Sequence, residues 1–232
     1  MREIVLDTET TGLSPKEGHR IVEIGAVELM NHMPTGKTYH QYINPQRDMP
    51  AEAFAVHGLG EDFLRDKPVF AHIAEAFIDF AGDARLVIHN ASFDMAFINA
   101  ELGWIQRPII PLDRAIDTLE IARRKFPGSP ASLDALCRRF GIDNSSRTLH
   151  GALLDSEILA EVYLELIGGR QPDFGLAPVQ GHSGRGASGA ETDWRPGPRP
   201  QPMPPRLSAE EAEAHAAFVK AMGDGALWNK LS

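Results

Sequence analysis

The order of its segments predicts an α/β protein: a mixed sheet flanked by helices, followed by an extended linker and a short C-terminal helix. Three observations carry that reading. Three strand-like runs follow one another near the start, helical and strand-like periods then alternate to about residue 170, and the composition finally turns to glycine and proline. Strands that give way to alternating helices and strands make a sheet with helices packed on it.

The first strand is the apolar run Ile4-Val5-Leu6, which leads straight into Asp7-Thr8-Glu9-Thr10-Thr11-Gly12. Residues 21–29 read as a second strand, apolar enough to be largely buried, and residues 38–43 as a third, stopped by Asn44-Pro45. Their spacing predicts an antiparallel meander. Val69, Phe70, Ile73, Phe77, Ile78 and Ala81 recur at intervals of three and four, which marks an amphipathic helix ending near Gly82. Residues 86–88 form a short strand-like run, and residues 93–102 are again helical in period. Residues 116–119 give a further short strand, leading into a helix that must stop before Pro127-Gly128. Ser132 is placed to cap a helix carrying Leu133, Leu136, Cys137 and Phe140, closed by Gly141. The stripe Leu153, Leu154, Ile158, Leu159, Val162, Tyr163, Leu166 predicts a long helix over residues 151–167, ended by Gly168-Gly169.

Residues 1–169 therefore read as one domain. Residues 170–206 read as a flexible Gly/Pro-rich linker, densest in the run Arg195-Pro196-Gly197-Pro198-Arg199-Pro200, which extends by about 3.1 Å per residue where it is polyproline-like. Residues 207–232 are different again. Ser208-Ala209-Glu210-Glu211 is a capping box, and Ala209, Ala212, Ala216, Val219 and Met222 share one helical face before Gly223. A helix of about four turns is marginal alone in water. With Trp228 and Leu231 beyond it, it reads as a docking peptide that folds on a partner.

With 232 residues, 43% of them hydrophobic, the chain can build a sizeable core. No uninterrupted apolar stretch suggests a membrane span, no basic-then-apolar leader opens the sequence, and the single cysteine, Cys137, allows no internal disulfide. A cytoplasmic address is expected. The net charge of −9 argues against a protein that coats nucleic acid through phosphate contacts. A nuclease that holds a few nucleotides through metal ions is not excluded. Arg123-Arg124-Lys125 and Arg138-Arg139 offer either a local positive strip or ordinary solvated helix faces.

The chemistry begins with Asp7 and Glu9, two apart on a strand and so on one side of the sheet. Like charges held together in an apolar frame invite a hard divalent cation with oxygen ligands, Mg²⁺ or Mn²⁺. Taken alone, the pair also fits the solvated edge of a hairpin turning at residues 10–12. Two further segments decide. In His89-Asn90-Ala91-Ser92-Phe93-Asp94 a strand passes into a helix, so Asp94 can reach over the sheet end, or simply sit in a first helical turn. In Leu149-His150-Gly151-Ala152-Leu153-Leu154-Asp155, five helical residues would separate His150 and Asp155 by about 140°. His150 therefore belongs to the approach before Gly151, a mobile histidine above a fixed carboxylate. Four carboxylates and a histidine suit phosphodiester hydrolysis with two metal ions and a His base, without a covalent nucleophile.

These residues carry a resemblance. Asp7-x-Glu9, Asp94, His150 and Asp155 follow the order of the DEDD exonucleases with a histidine base, whose fold is RNase H-like. More narrowly, residues 6–12, Val56-His57-Gly58, residues 89–94 and residues 149–155 are similar to the proofreading epsilon subunits of bacterial DNA polymerase III. The resemblance implies a 3′-to-5′ exonuclease acting on a mispaired DNA 3′ end. Asp7, Glu9, Asp94 and Asp155 would hold the metals and His150 would be the general base. It also implies that Glu52 and His57 contact the terminal nucleotide, although His57 beside Gly58 reads equally as a turn residue in a loop. Thr8 and Thr10 are candidate backbone donors to the substrate or plain strand residues; Phe93 is a candidate stacking residue or a core residue.

Partners follow from the same resemblance. Gln171, Phe174 and Leu176 resemble the anchors of a sliding-clamp peptide, with the usual adjacent apolar pair split by Gly175. The terminal helix and Leu227-Trp228 resemble the region that docks on the polymerase alpha subunit, and a small theta-like subunit is a further implied partner. Two other readings stay open: an RNA-trimming exonuclease with the same chemistry, and a structural adaptor between clamp and polymerase.

Overall fold

The computed structural model describes residues 1–145, 147, 149–168 and 208–223. The chain divides into two compact units, Met1–Pro178 and Val179–Ser232. The peptide at residues 171–176 and the terminal Trp228 lie outside the described residues.

The first unit is built on a five-stranded mixed sheet. β1 spans Arg2–Thr10, β2 Ile21–Met30, β3 Met33–Tyr42, β4 Arg85–Ile88 and β5 Ala115–Asp117. Their order is β3-β2-β1-β4-β5, antiparallel across β1, β2 and β3 and parallel from β1 through β4 to β5. The expected meander is present, and β1 is the central strand. That removes the solvated-edge reading of Asp7 and Glu9.

Seven α-helices are described in this unit, the first two of them short. α1 is Ala51–His57 and α2 Glu61–Leu64; α3 is Phe70–Ala81, α4 Ala91–Trp104 and α5 Thr118–Lys125; α6 is Leu133–Phe140 and α7 Ala152–Leu166. The pleat of β1 sends alternate side chains to opposite faces. Ile4 and Leu6 pack with Phe70, Phe77, Phe97 and Ile98 of α3 and α4, whereas Val5 packs with Leu159 and Tyr163 of α7. A third cluster joins Ala122 of α5, Leu136 and Cys137 of α6 and Val162 of α7.

Three local expectations need correction. The third strand starts at Met33 rather than Thr38. Its first half is exposed and carries Pro34 and Gly36, residues that an edge strand tolerates and a pattern search penalises. The hairpin into it turns through Asn31 and His32, both at positive φ. α1 and α2 were not expected, because four to seven residues are too few to display a helical period. Lastly, Thr118 and Leu119 belong to α5, capped by the Asp117 carboxylate, which accepts from the Leu119 and Glu120 backbone N–H groups.

In the second unit, α8 spans Ala209–Ala221. Its capping box is present: the Ser208 hydroxyl accepts from Glu211 N–H, and the Glu211 carboxylate accepts from Ser208 N–H at 2.9 Å. Among the described residues, no helix is long and apolar enough to cross a membrane.

Candidate functional site

The site forms where the parallel strands run out. β4 pairs with β1 only from Glu3 to Val5, so from Asp7 onwards β1 has β2 alone beside it. The space beyond the carboxyl ends of parallel strands is where open α/β sheets receive ligands. Asp7 and Glu9 project there, on the face of β1 that Val5 shows to α7.

Asp94 comes from the opposite face, in the first turn of α4. The turn into that helix needs Asn90 in the left-handed region, at φ 69°. Asp117 fixes the turn by accepting from the Asn90 and Ala91 backbone N–H groups at 3.1 and 3.2 Å. The Thr8 hydroxyl, between Asp7 and Glu9 on the strand, then donates to Asp94 at 2.7 Å.

Asp155 is buried in the first turn of α7, and His150 precedes the helix, as the angular argument required. The helix start is pressed against β2. A Cβ on Gly25 would fall 2.1 Å from the Ala152 carbonyl carbon and from Leu153 N, so only glycine allows this approach. Ser156 donates to the Gly25 carbonyl at 2.9 Å, and the buried Glu23 carboxylate accepts from Ala152 N–H at 3.2 Å. His150 is exposed but not loose. Its backbone N–H donates to the Val56 carbonyl of α1 at 3.1 Å, and its Nδ1 lies 3.5 Å from Asp155 Oδ2.

The electrostatics record the crowding. Burial, followed by Asp94, Glu9 and Asp155, pushes Asp7 well above the usual carboxylate range, against an opposing pull from Arg147. Burial and then Asp155 and Glu23 raise Glu9 to about 8. Burial raises Asp94 to about 7, although the Thr8 hydroxyl works the other way. One potential ligand atom from each of Glu9, His150 and Asp155 lies within 4.8 Å of the others. Buried oxygen donors that resist ionising together fit a small hard dication, which supplies the missing positive charge.

Two cavities border these carboxylates, one beside Glu9 and one beside Asp7 and Asp155. One, of about 430 Å³, is lined by Thr8, Glu9, Thr10, Glu52, His57 and Phe93 among others, a volume inside the roughly 300–1,000 Å³ typical of ligand pockets. His57 is the last residue of α1 and is buried, so its expected place in a loop is corrected. Its Nδ1 accepts from Leu59 N–H at 3.0 Å, which leaves the proton on the buried Nε2. Phe93 packs on the core, its ring centroid 5.0 Å from that of Phe97, and also lines the cavity. The second cavity, about 550 Å³, is lined by Asp7, His89, Asn90, Arg123, Arg147, His150 and Asp155 among others. Of the basic residues read as a strip, Arg123 lies in this cavity, Lys125 donates to the Leu166 carbonyl at 2.9 Å, and Arg139 sits over the Phe126 ring.

Sequence reasoning missed Arg147. It stands in an irregular stretch three residues before His150, where no period or motif marks it. Its guanidinium nevertheless grips both oxygens of Asp155, with Nη2 2.8 Å from Oδ2.

Comparison with known proteins adds three findings. Residues 4–163 match the family model described as Exonuclease. The chain is 57% identical over 177 residues to the DNA polymerase III subunit epsilon of Rickettsia felis, covering 75% of this chain and 77% of that one. Against the DNA polymerase III subunit epsilon of Pasteurella multocida it is 43% identical over 246 residues, which span 99% of this chain and 94% of that one. Among solved structures, exonuclease X in complex with 5′ overhanging duplex DNA superposes with a TM-score of 0.56 at 28% identity, over 71% of this chain and 90% of its own. The mixed sheet flanked by helices is thus the RNase H-like exonuclease fold that the motifs implied, in a family whose nucleases depend on divalent metal ions.

Proposed function

This chain belongs to the exonuclease family, among the DNA polymerase III epsilon subunits, and from that premise we propose how its residues perform 3′-to-5′ proofreading excision from DNA. The observation that carries the proposal is the convergence of Asp7 and Glu9 from β1, Asp94 from α4 and Asp155 from α7 at one strand end, with His150 beside them.

Asp7, Glu9 and Asp155, with Asp94, would hold two divalent ions, Mg²⁺ or Mn²⁺. When bound, such a pair neutralises charge on the attacking and leaving oxygens and lowers the pKa of water. His150 takes the proton of the attacking water at a ring nitrogen. The cavity beside Glu9 receives the terminal nucleotide: Phe93 offers a ring to the base, His57 Nε2 a donor, Glu52 an acceptor, and Thr8 and Thr10 the strand backbone. A frayed, unstacked end enters such a pocket more readily than a paired one, because less unstacking work is required. This selects mispairs without reading bases.

Residues 1–169 are the exonuclease domain, residues 170–206 the tether and residues 207–232 the peptide that docks on the polymerase alpha subunit. Gln171, Phe174 and Leu176 grip the sliding clamp, Trp228 contributes to polymerase docking, and a theta-like subunit completes the assembly. The capping box of α8 and the match to the Pasteurella multocida protein along 99% of this chain support a terminal peptide with a function of its own. The tether keeps the nuclease at high effective concentration near the primer end. Replication places the protein in the cytoplasm.

The purified protein should degrade single-stranded and 3′-mismatched DNA with Mg²⁺ or Mn²⁺, faster than matched RNA, and Asp7→Ala should abolish this. Full activity in Asp7→Ala would overturn the site, and a preference for RNA would favour the trimming reading. Removal of residues 207–232 should abolish capture of the polymerase subunit while leaving excision intact.

A further inference from the structure

Arg147 presents an unusual occupant for a metal-binding carboxylate. Its side chain is only 9% exposed. Nε donates to Asp155 Oδ1 and Nη2 to Oδ2, so both oxygens of that carboxylate face the guanidinium fork. The same Nη2 lies 2.9 Å from His150 Nδ1, and Nη1 donates to Asp134 Oδ1 at 2.9 Å. Asp134 stands at the solvent margin, with its side chain 44% exposed, and also accepts from Asn144 Nδ2 at 2.9 Å. One planar cation therefore bridges the deepest carboxylate of α7, the histidine above it and an outer carboxylate on α6.

Two features make this contact exchangeable rather than permanent. A carboxylate whose two oxygens are both engaged by a guanidinium has little left for a dication, and two cations sharing one buried anion repel strongly. Arg147 also keeps a second anchor, its bond to Asp134 on α6, whose side chain is 44% exposed. The fork can let go of Asp155 without becoming an unpaired buried charge, which would be costly.

We propose that Arg147 is the group a divalent ion displaces: its guanidinium holds Asp155 in the ion-free protein and withdraws to Asp134 when the ion binds. The inference rests on Asp155 being a metal ligand, as assigned above. Arg147 acts as a positioning residue. It keeps the first turn of α7 and His150 assembled against β1 while the carboxylates lack their ions, and this costs some ion affinity.

The test uses full-length protein stripped with a chelator and titrated with Mn²⁺ in the absence of DNA, with free Mn²⁺ read by electron paramagnetic resonance. Arg147→Met keeps the length of the side chain and removes its charge. It should bind Mn²⁺ about tenfold tighter or more, because the competing cation is gone, while the stripped protein melts lower than wild type and the Mn²⁺-saturated protein melts with it. Asp134→Asn should weaken Mn²⁺ binding, since the displaced guanidinium loses its anchor. If Arg147→Met folds poorly, Arg147→Lys, which loses the fork and keeps a charge, should still bind Mn²⁺ tighter than wild type. Unchanged or weaker Mn²⁺ binding in these Arg147 variants would overturn the exchange and leave Arg147 a fixed strut. Binding that survives Asp155→Asn would place the ion elsewhere and defeat this inference alone; no Mn²⁺ binding in any variant would defeat the metal assignment as well.

Discussion

Asp94 and Asp155 approach the end of β1 from helices on opposite faces of the sheet, and the protein holds them by opposite means. Asp94 receives a neutral hydroxyl from Thr8 and is pushed up to about 7, so near neutrality it can meet its burial by holding a proton. Asp155 receives a charged guanidinium across both oxygens. A buried carboxylate must be protonated, paired or metal-bound. Each of the two uses a different member of that set, and in the proposed two-ion site a divalent ion would replace both. The difference teaches that the site is prepared for ions without being strained open by four bare charges.

The largest effect should come from removing the carboxylates themselves. Asp155→Asn and Asp94→Asn should each lower excision by more than the roughly 10–100-fold that loss of an outer-shell partner gives in metal sites, measured as release of nucleotides from a mismatched primer. Asp155→Asn should also leave Arg147 without its main partner, so the stripped protein should melt lower than stripped Asp94→Asn. Equal melting of the two would erase the contrast between a proton-held and a cation-held carboxylate.

The contrast also has a pH signature. Glu9 and Asp94 have folded values of about 8 and about 7, above the 4.5 and 3.8 of free side chains. An acid whose pKa is raised by folding keeps its protons longer in the folded state, so its contribution to stability is present below the unfolded value and lost as pH rises through the folded one. Metal binding removes that loss, because the ion takes the place of the protons. The gap in melting temperature between Mg²⁺-saturated and stripped protein should therefore widen from pH 5 to 8 and level off above about 8. A gap that stays constant with pH would show that the carboxylates ionise freely without ions.

A third effect bears on α7 alone. Gly25→Ala would drive a methyl group into the backbone of Ala152 and Leu153, at 2.1 Å, where neither side can yield as a flexible side chain would. Overpacking of this kind costs about 1–3 kcal/mol. The shifted helix carries Asp155, so Mn²⁺ affinity should fall along with the melting temperature. A stable variant with normal affinity would show that α7 has slack at its start.

The parts of this site legible in the sequence are those with a short local pattern. Asp7 and Glu9 announced themselves by alternation after an apolar run, and His150 and Asp155 by an angular spacing that ruled out a shared helical face. The meander and the alternation after it were legible because buried strands and amphipathic helices repeat over several residues. What escaped was set by tertiary contact. Arg147 has no local signal, because its partners are Asp155, eight residues on, and Asp134 on another helix. Glu23 and Gly25 read as ordinary strand residues; only the approach of α7, more than a hundred residues later, makes one a cap for Ala152 and the other irreplaceable. Met33 to Lys37 escaped for a different reason: an exposed edge strand has no buried face to impose a pattern.

The smallest expected effect isolates the neutral half of the comparison. Thr8→Val keeps the shape of the side chain and removes only the hydroxyl that donates to Asp94 at 2.7 Å. Thr8 and Asp94 are both buried, so no water replaces the lost donor and about 1 kcal/mol of stability should go with it. The hydroxyl lowers Asp94 from the value that burial alone would set, so its removal should move Asp94 further up from about 7. The acid limb of the activity profile should then shift to higher pH, and the variant should need more Mg²⁺ near neutrality than at alkaline pH, where the carboxylate is ionised in both proteins. Thr8→Ser, which restores a hydroxyl, should return both properties towards wild type. A Thr8→Val profile that loses activity equally at all pH values would mean that the hydroxyl merely packs, and that Asp94 owes its readiness to burial alone.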